Sequence, residues 1–242
     1  MKIYNLRKNF SAIISENNLQ LKGKLAFKTV ETDWVHTPEP VIVPISLQSS
    51  FHDGMVGELK MQALVSIIKE NVQGPVTLLL ADTAHKQVDA LGQIDTKKSA
   101  ANLLARFQKY FHPCQIHFWG AYIEEDASYA SRLHKITYQY ETDLVFRSYV
   151  EADAEATYTV SRMNDFRDKD LFMKNARADI LEQCACILVL ADKGYKFQFY
   201  PGRQYGAVQY VNKTLLPSQK QIKLIDVFLT VEKKSLLDLA LR

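Results

Sequence analysis

Four side chains of the 242-residue chain stand where chemistry could be concentrated: Ser46, Asp82, Glu182 and Tyr200. Ser46 follows the β-branched run VIVPI (41–45). A serine there either caps the next helix or is a nucleophile that a base must activate. Asp82 closes VTLLLAD (76–82) in the same way, as a cap or as a group facing a site. Glu182 marks the point where NARADILEQCACILVLAD (175–192) turns wholly apolar. A carboxylate at that boundary is either solvated or semi-buried with a raised pKa suited to proton transfer. Tyr200, in FYPG, ends an alternating strand, where its phenol could orient a partner group. The chain has no Gly-x-Ser-x-Gly elbow, no Gly-x-Gly-x-x-Gly and no phosphate-binding Gly-x-x-x-x-Gly-Lys-Ser/Thr. His85 has no ligand partner at a useful spacing, and Cys184 and Cys186 are two apart within an apolar run, so no metal site is indicated.

The elements that position these groups follow from periodicity. Strands are expected at 41–45, 76–82 and 115–119, with helices at 57–72 and 95–111 between them. This β-α-β-α-β alternation predicts an α/β fold: a Rossmann-like parallel sheet with helices on both faces. Ligands of such sheets bind beyond the carboxyl ends of the strands, which makes Ser46 and Asp82 candidates for one pocket. LAFKTVET (25–32) is a further strand. Residues 124–164 form one or two charged, tyrosine-rich helical segments, and 175–192 form a buried helix. Residues 195–202 form a strand stopped by Pro201-Gly202. AVQYVNKTLL (207–216) has no clear pattern, and 222–232 suits either a strand or a short helix.

Composition suits one α/β domain over residues 1–242: 47% hydrophobic and 24% charged residues, with 9 Gly and 7 Pro. No apolar run is long enough to span a membrane, and residues 1–18 lack the apolar core of a secretory signal. The cysteines, Cys114, Cys184 and Cys186, have no framework spacing, which suggests reduced thiols and a cytoplasmic setting. Net charge is only +3, so the location of the charge carries more information than its sum. The 95–111 helix bears Lys97, Lys98, Arg106 and Lys109, three of which (Lys98, Arg106 and Lys109) share one flank. Arg132, His134 and Lys135 form a second cluster. Such a stripe is either a solvated face or a track for nucleic-acid phosphates.

Four blocks in this order and spacing, PISLQSSFHDG, LLLADTAHK, IHFWGAYIEEDASY and DILEQCACILVLADKGYKFQFYPG, resemble the tRNA-dependent cyclodipeptide synthases over roughly residues 40–215. Ser49, three after Ser46, and the pair Tyr200-Pro201 resemble the type with a Tyr-Pro pair. The resemblance implies a fold like the class I aminoacyl-tRNA synthetase catalytic domain, two aminoacyl-tRNAs as partners, no ATP or metal, and a monomer. It further implies that Ser46 carries an aminoacyl ester, that a second aminoacyl-tRNA extends it, and that the dipeptidyl-enzyme closes to a diketopiperazine. Tyr200 would position the serine or stabilise the tetrahedral intermediate, Glu182 would bind the amine and relay protons, and Lys97, Lys98, Arg106 and Lys109 would hold tRNA. Ser49, Asp82, Asp179, Gln183 and Pro201 would contact substrate. One departure stands out: the family's tyrosine four residues before the glutamate is Ala178 here, and shifting the register by one gives Asp179 and Gln183. Asp179, or a tyrosine such as Tyr149 or Tyr158, is then expected to compensate. The alternatives are a weakened relative that binds tRNA without making product, and an unrelated Rossmann-like protein that binds a small ligand.

Overall fold

The computed structural model describes residues 4–14, 19–29, 37–46, 60–61, 64–66, 68–69, 72–84, 95–111, 114–160 and 168–231. Its strands are β1 (Tyr4–Ile14), β2 (Leu19–Thr29), β3 (Val41–Ile45), β4 (Val76–Leu80), β5 (Gln115–Phe118), β6 (Phe197–Pro201) and β7 (Lys223–Val231). Its helices are α1 (Thr96–Phe111), α2 (Tyr129–Thr142), α3 (Leu144–Val160), α4 (Lys169–Asp192) and α5 (Gly206–Thr214). A π-helical turn, Gly120–Glu124, follows β5. The described residues between 60 and 69 are helical, inside the predicted helix 57–72.

The sheet order is β1-β2-β7-β6-β3-β4-β5. From β7 to β5 every pairing is parallel, and β1 and β2 add an antiparallel edge. The predicted α/β, Rossmann-like parallel sheet is therefore present. Three segments go beyond or correct the sequence reading. The strand expected at 25–32 is β2, ending at Thr29 and paired along its length with β1. Residues 207–216, which lack a clear pattern, form α5 up to Thr214, and the 222–232 run is a strand. The buried helix begins at Lys169 rather than 175, with the Asp168 side chain accepting from the Leu171 amide at 2.9 Å as its N-cap.

Strand alternation sends neighbouring side chains to two separate cores. Val41, Val43 and Ile45 of β3 pack with Met61, Leu64, Leu103, Phe197 and Phe199 on one face. Ile42, with Leu79 of β4, faces the opposite core, built on α4 with Phe146, Val150 and Val208. Helices thus cover both faces, as the alternation predicts. From Ile180 to Ala191 α4 is buried at every position except Gln183. A helix that is apolar on all sides can only sit between other elements; α2, α3 and α5 surround it.

Burial raises the thiol pKa of all three cysteines, most strongly for Cys184 and Cys186 inside this helix. Thiolate is the reactive form. A thiol-specific probe should therefore label the native chain slowly and only at half-buried Cys114, and label all three thiols in denaturant. Cys114→Ser should abolish the native reaction. Rapid native labelling of Cys184 or Cys186 would contradict the packing of α4.

Candidate functional site

The chain runs β3, β4, β5 outward in one direction and then returns to place β6 on the other side of β3. The β3/β6 junction is thus the switch point where doubly wound sheets bind ligands beyond the strand ends. Ser46 directly follows β3, and Tyr200 is next to last in β6. Ile42 and Pro44 lie on the α4 side of the sheet, and continuing the alternation carries half-buried Ser46 to that side. Gln198 and Tyr200 face the same way, opposite to Phe197 and Phe199.

The β3–β6 ladder pairs Val41 with Phe197 and Ile42 with Gln198, and no further. The Val41 amide donates to Pro75 O at 2.9 Å, on the β4 side, so the even-numbered amides of β3 face β6. The next of these would be Pro44, which has no N–H. The strands part there, and a small pocket opens between them. Pro44, Gln198 and Tyr200 line it from the sheet, Gln183, Cys186 and Ile187 from α4, and Trp119 from the end of β5. Gly202, at φ +129°, takes a left-handed turn that brings Gln204 and Tyr205 back over the pocket.

On α4, which lines the pocket through Gln183, Cys186 and Ile187, are two buried carboxylates, Asp179 and Glu182. They are three residues apart and so share a helix face. Two phenols adjoin them. Burial pushes the Tyr129 pKa far up, and the nearby charges of Glu182, Glu124 and Asp179 add to the shift. Tyr205 is raised by burial first, then by Tyr200, Asp179 and Asp153, while its hydrogen bond with Thr157 Oγ1, at 3.3 Å, works against the rise. Burial, aided by Asp226, pushes Tyr200 up to about 12. These phenols are protonated near neutral pH and can donate hydrogen bonds.

The expected site residues separate into groups. Tyr200 and Gln183 line the pocket, Ser46 directly follows β3, and Asp179 and Glu182 are buried on α4, where their charges act on Tyr129 and, for Asp179, on Tyr205. Of the two register alternatives, Glu182 is buried near Tyr129 and Gln183 lines the pocket. Asp82 is a correction: it does not line this pocket. Its Oδ1 accepts from the Gly120 amide at 2.9 Å, anchoring the π-helical turn, and it lines a separate open cleft with Thr83, Lys97, Gly120 and Glu124. Pro201 is the last residue of β6, registered with Val227, and is not part of the pocket lining. Tyr149 and Tyr158 do not compensate for Ala178. Tyr149 is exposed beside Tyr210, and Tyr158 packs edge-on against Phe172. Tyr129 and Tyr205 stand near the carboxylates instead. Ser49, His85 and the Lys109 side chain lie outside the described residues. Lys97, Lys98 and Arg106 are exposed on α1, which Asp95 caps through the Lys98 amide at 3.0 Å. Arg132 of the second basic cluster is held by Asp192. Among the described residues no group of three or more His, Cys, Asp and Glu could hold a metal ion, and no helix is long and apolar enough to cross a membrane.

Sequence reasoning missed Trp119, Tyr129, Gln198, Gln204 and Tyr205. Gln198 was accessible: it is two residues before Tyr200 on an alternating strand, hence on the same face. Trp119 also follows a strand end. Tyr129 carried no local signal, since only tertiary packing brings α2 against α4.

No protein-family model matches the chain, and no curated protein matches it in sequence. Its fold is similar to solved cyclodipeptide synthases. The CDPS from Fluoribacter dumoffii matches with TM-score 0.69 and 15% identity, over 87% of this chain and 99% of that one. The synthase from Candidatus Glomeribacter gigasporarum, solved bound to Phe-tRNAPhe, matches with TM-score 0.60 and 16% identity, over 81% and 91%. A Mycobacterium tuberculosis protein, whose structure was described as relating cyclodipeptide synthetases to type I tRNA synthetases, matches with TM-score 0.53 and 9% identity, over 87% and 94%. At these identities the likeness establishes the fold.

The Tyr200 proton gives a direct check on the site. Its pKa lies above the ordinary 10.0, so the folded state binds the proton more tightly than the unfolded one. That contribution to stability is complete below pH 10 and is lost as pH rises through about 12. The difference in tyrosinate absorbance between the wild-type chain and Tyr200→Phe should accordingly appear near pH 12 while circular dichroism still reports a folded chain. A difference centred at 10 would place Tyr200 in solvent.

Proposed function

We propose that the chain is an aminoacyltransferase that draws on two aminoacyl-tRNAs and releases a cyclic dipeptide. One observation carries this reading. At the switch point of a sheet whose fold is similar to that of cyclodipeptide synthases, a serine directly follows β3, β6 bears a protonated tyrosine, and α4 carries a pair of buried carboxylates. That set matches the needs of a substrate with an activated ester and an ammonium group on adjacent carbons. Asp179 and Glu182 suit the ammonium, because a buried carboxylate pair favours a cation.

In the first step Ser46 Oγ attacks the ester carbonyl carbon. The bond to the tRNA ribose oxygen breaks, and the serine proton passes to that oxygen as the tRNA leaves. Atom balance fixes which amine acts next. For a dipeptide to remain on the enzyme, the amine of the Ser46-bound residue attacks the second aminoacyl ester. An amide forms and the second tRNA leaves with the proton. The new terminal amine then attacks the Ser46 ester, closing the diketopiperazine and returning the proton to Oγ. Each amine must lose a proton before it attacks, and in this reading Glu182 takes it. Tyr200, protonated, donates to the serine or to the oxyanion of the tetrahedral intermediate. The ester already holds the driving force, so the reaction draws on neither ATP nor a metal. The phenols of Tyr129 and Tyr205 support the ammonium site in place of the tyrosine that Ala178 lacks.

Mass spectrometry of culture medium tests this reading. A host expressing the wild-type chain should accumulate a new cyclic dipeptide, and a host expressing Ser46→Ala should not. The same product from both would overturn the nucleophile assignment. For the basic helix, neutralising Lys98 and Arg106 together should weaken tRNA binding and lower the slope of log affinity against log salt by about 1–2. An unchanged slope would make the stripe a solvated face.

A further inference from the structure

The pocket beside Tyr200 is polar in an unusual way. Trp119 Nε1 and Gln204 Nε2 are both buried, and neither has an acceptor among the described residues. Both residues line the pocket. An indole nitrogen can only donate. The other end of the Gln204 amide is engaged, its Oε1 accepting from Gln198 Nε2 at 2.9 Å. A buried donor without an acceptor is costly, and a ligand offering an acceptor would recover that cost. Gln183 and Gln198 add two more carboxamides to the lining, and among the described residues no charged side chain is part of it. An anionic ligand group would therefore enter without a counter-charge, with the carboxylates of Asp179 and Glu182 on the same helix, and would be disfavoured.

We propose that this pocket selects the side chain of the aminoacyl group loaded on Ser46, and that it selects an uncharged polar side chain, a carboxamide or a hydroxyl. The inference rests on the transferase reading, since it takes the acyl group to be held at Ser46. It adds the class of residue. Pro44, two positions before Ser46, is part of the pocket wall, so a side chain branching from an ester on Ser46 has this cavity within reach. Its oxygen accepts from Trp119 and Gln204. An aliphatic side chain of similar size leaves both donors unmet. A site built to hydrogen-bond a substrate group rejects the analogue that lacks it far more strongly than an apolar pocket rejects a hydroxyl.

The test loads the purified chain from tRNAs charged singly with Asn, Gln, Ser or Thr, with Leu, Val or Phe, and with Asp or Glu. Acid quenching and intact-mass spectrometry then read the increment on the protein, with Ser46→Ala as the blank. At least one uncharged polar residue should acylate Ser46 tenfold or more faster than the best of the other two groups. Trp119→Phe, which keeps the ring and removes the N–H, should cut that preference about tenfold, as should Gln204→Met. The preference, a ratio of rates on one folded variant, is a readout that mere damage to packing would not move. Equal or faster loading with Leu, Val or Phe, loading only with Asp or Glu, or a ratio unmoved by both substitutions would overturn the inference and leave the transferase reading standing. Absence of any increment from every tRNA would overturn the transferase reading itself, and this inference with it.

Discussion

Pro44 has no amide hydrogen to give, and the arrangement of the site depends on that. A parallel strand donates alternately to its two neighbours. On β3 the odd-numbered amides serve β4, and the ladder on that side continues through Ile45 and Leu80. The even-numbered amides serve β6, and the ladder on that side ends at Ile42 and Gln198. The same residue is therefore tolerated on one side and disruptive on the other. β3 stays registered with β4, which keeps the strand end fixed, while the gap toward β6 admits side chains from α4, β5 and the turn after β6. A proline here withholds the donor that the next β3–β6 pairing would use, at the place where the two strands part.

The second constraint is α4. Its latter half buries Ile180, Ile187, Leu188, Val189 and Leu190 almost completely. Each such side chain contributes about 1.5–3 kcal/mol through removal from water. The same helix also carries Asp179 and Glu182 out of solvent, which works in the opposite direction. A protein selected for stability alone would place aliphatic residues at both positions. The apolar half offsets that cost and keeps both carboxylates out of solvent.

Much of this was legible in the sequence, in proportion to how local the signal was. The run VIVPI, the strand VTLLL and the amphipathic 95–111 segment each follow from side-chain period, and their alternation was enough to give the parallel sheet. The all-apolar half of α4 announced its burial. Ser46 and Tyr200 were reachable because the strand-end rule needs only strands and their order. Asp82 met the same rule and was misplaced by it. A strand end locates a residue along the sheet but does not say whether a neighbouring backbone amide, here that of Gly120, will take its carboxylate. Tyr129 and Tyr205 were invisible for a further reason. They reach the carboxylates only because α2 packs against α4 and because Gly202 reverses the chain, and neither event leaves a periodic trace. The edge formed by β1 was missed because its residues, YNLRKNFSAII, alternate too weakly to stand out.

The two faces of the sheet divide the work. α1 packs through Leu103 on the face opposite α4, so its basic flank and the carboxylates are separated by the sheet. A phosphate backbone lying on α1 would not meet the repulsion of Asp179 and Glu182 at short range. Among the described residues, the turn after β5 borders both regions. Lys97 reaches the cleft there, Asp82 fixes the turn at Gly120, and Glu124 accepts from Thr83 Oγ1 at 2.7 Å on one side while its charge acts on Tyr129 on the other. Trp119 begins this same turn and lines the pocket. π-helical turns are uncommon and concentrate at functional sites. Here the turn does what a regular helix start could not: it hands one wall to the cleft beneath α1 and, through Trp119, another to the pocket beneath α4.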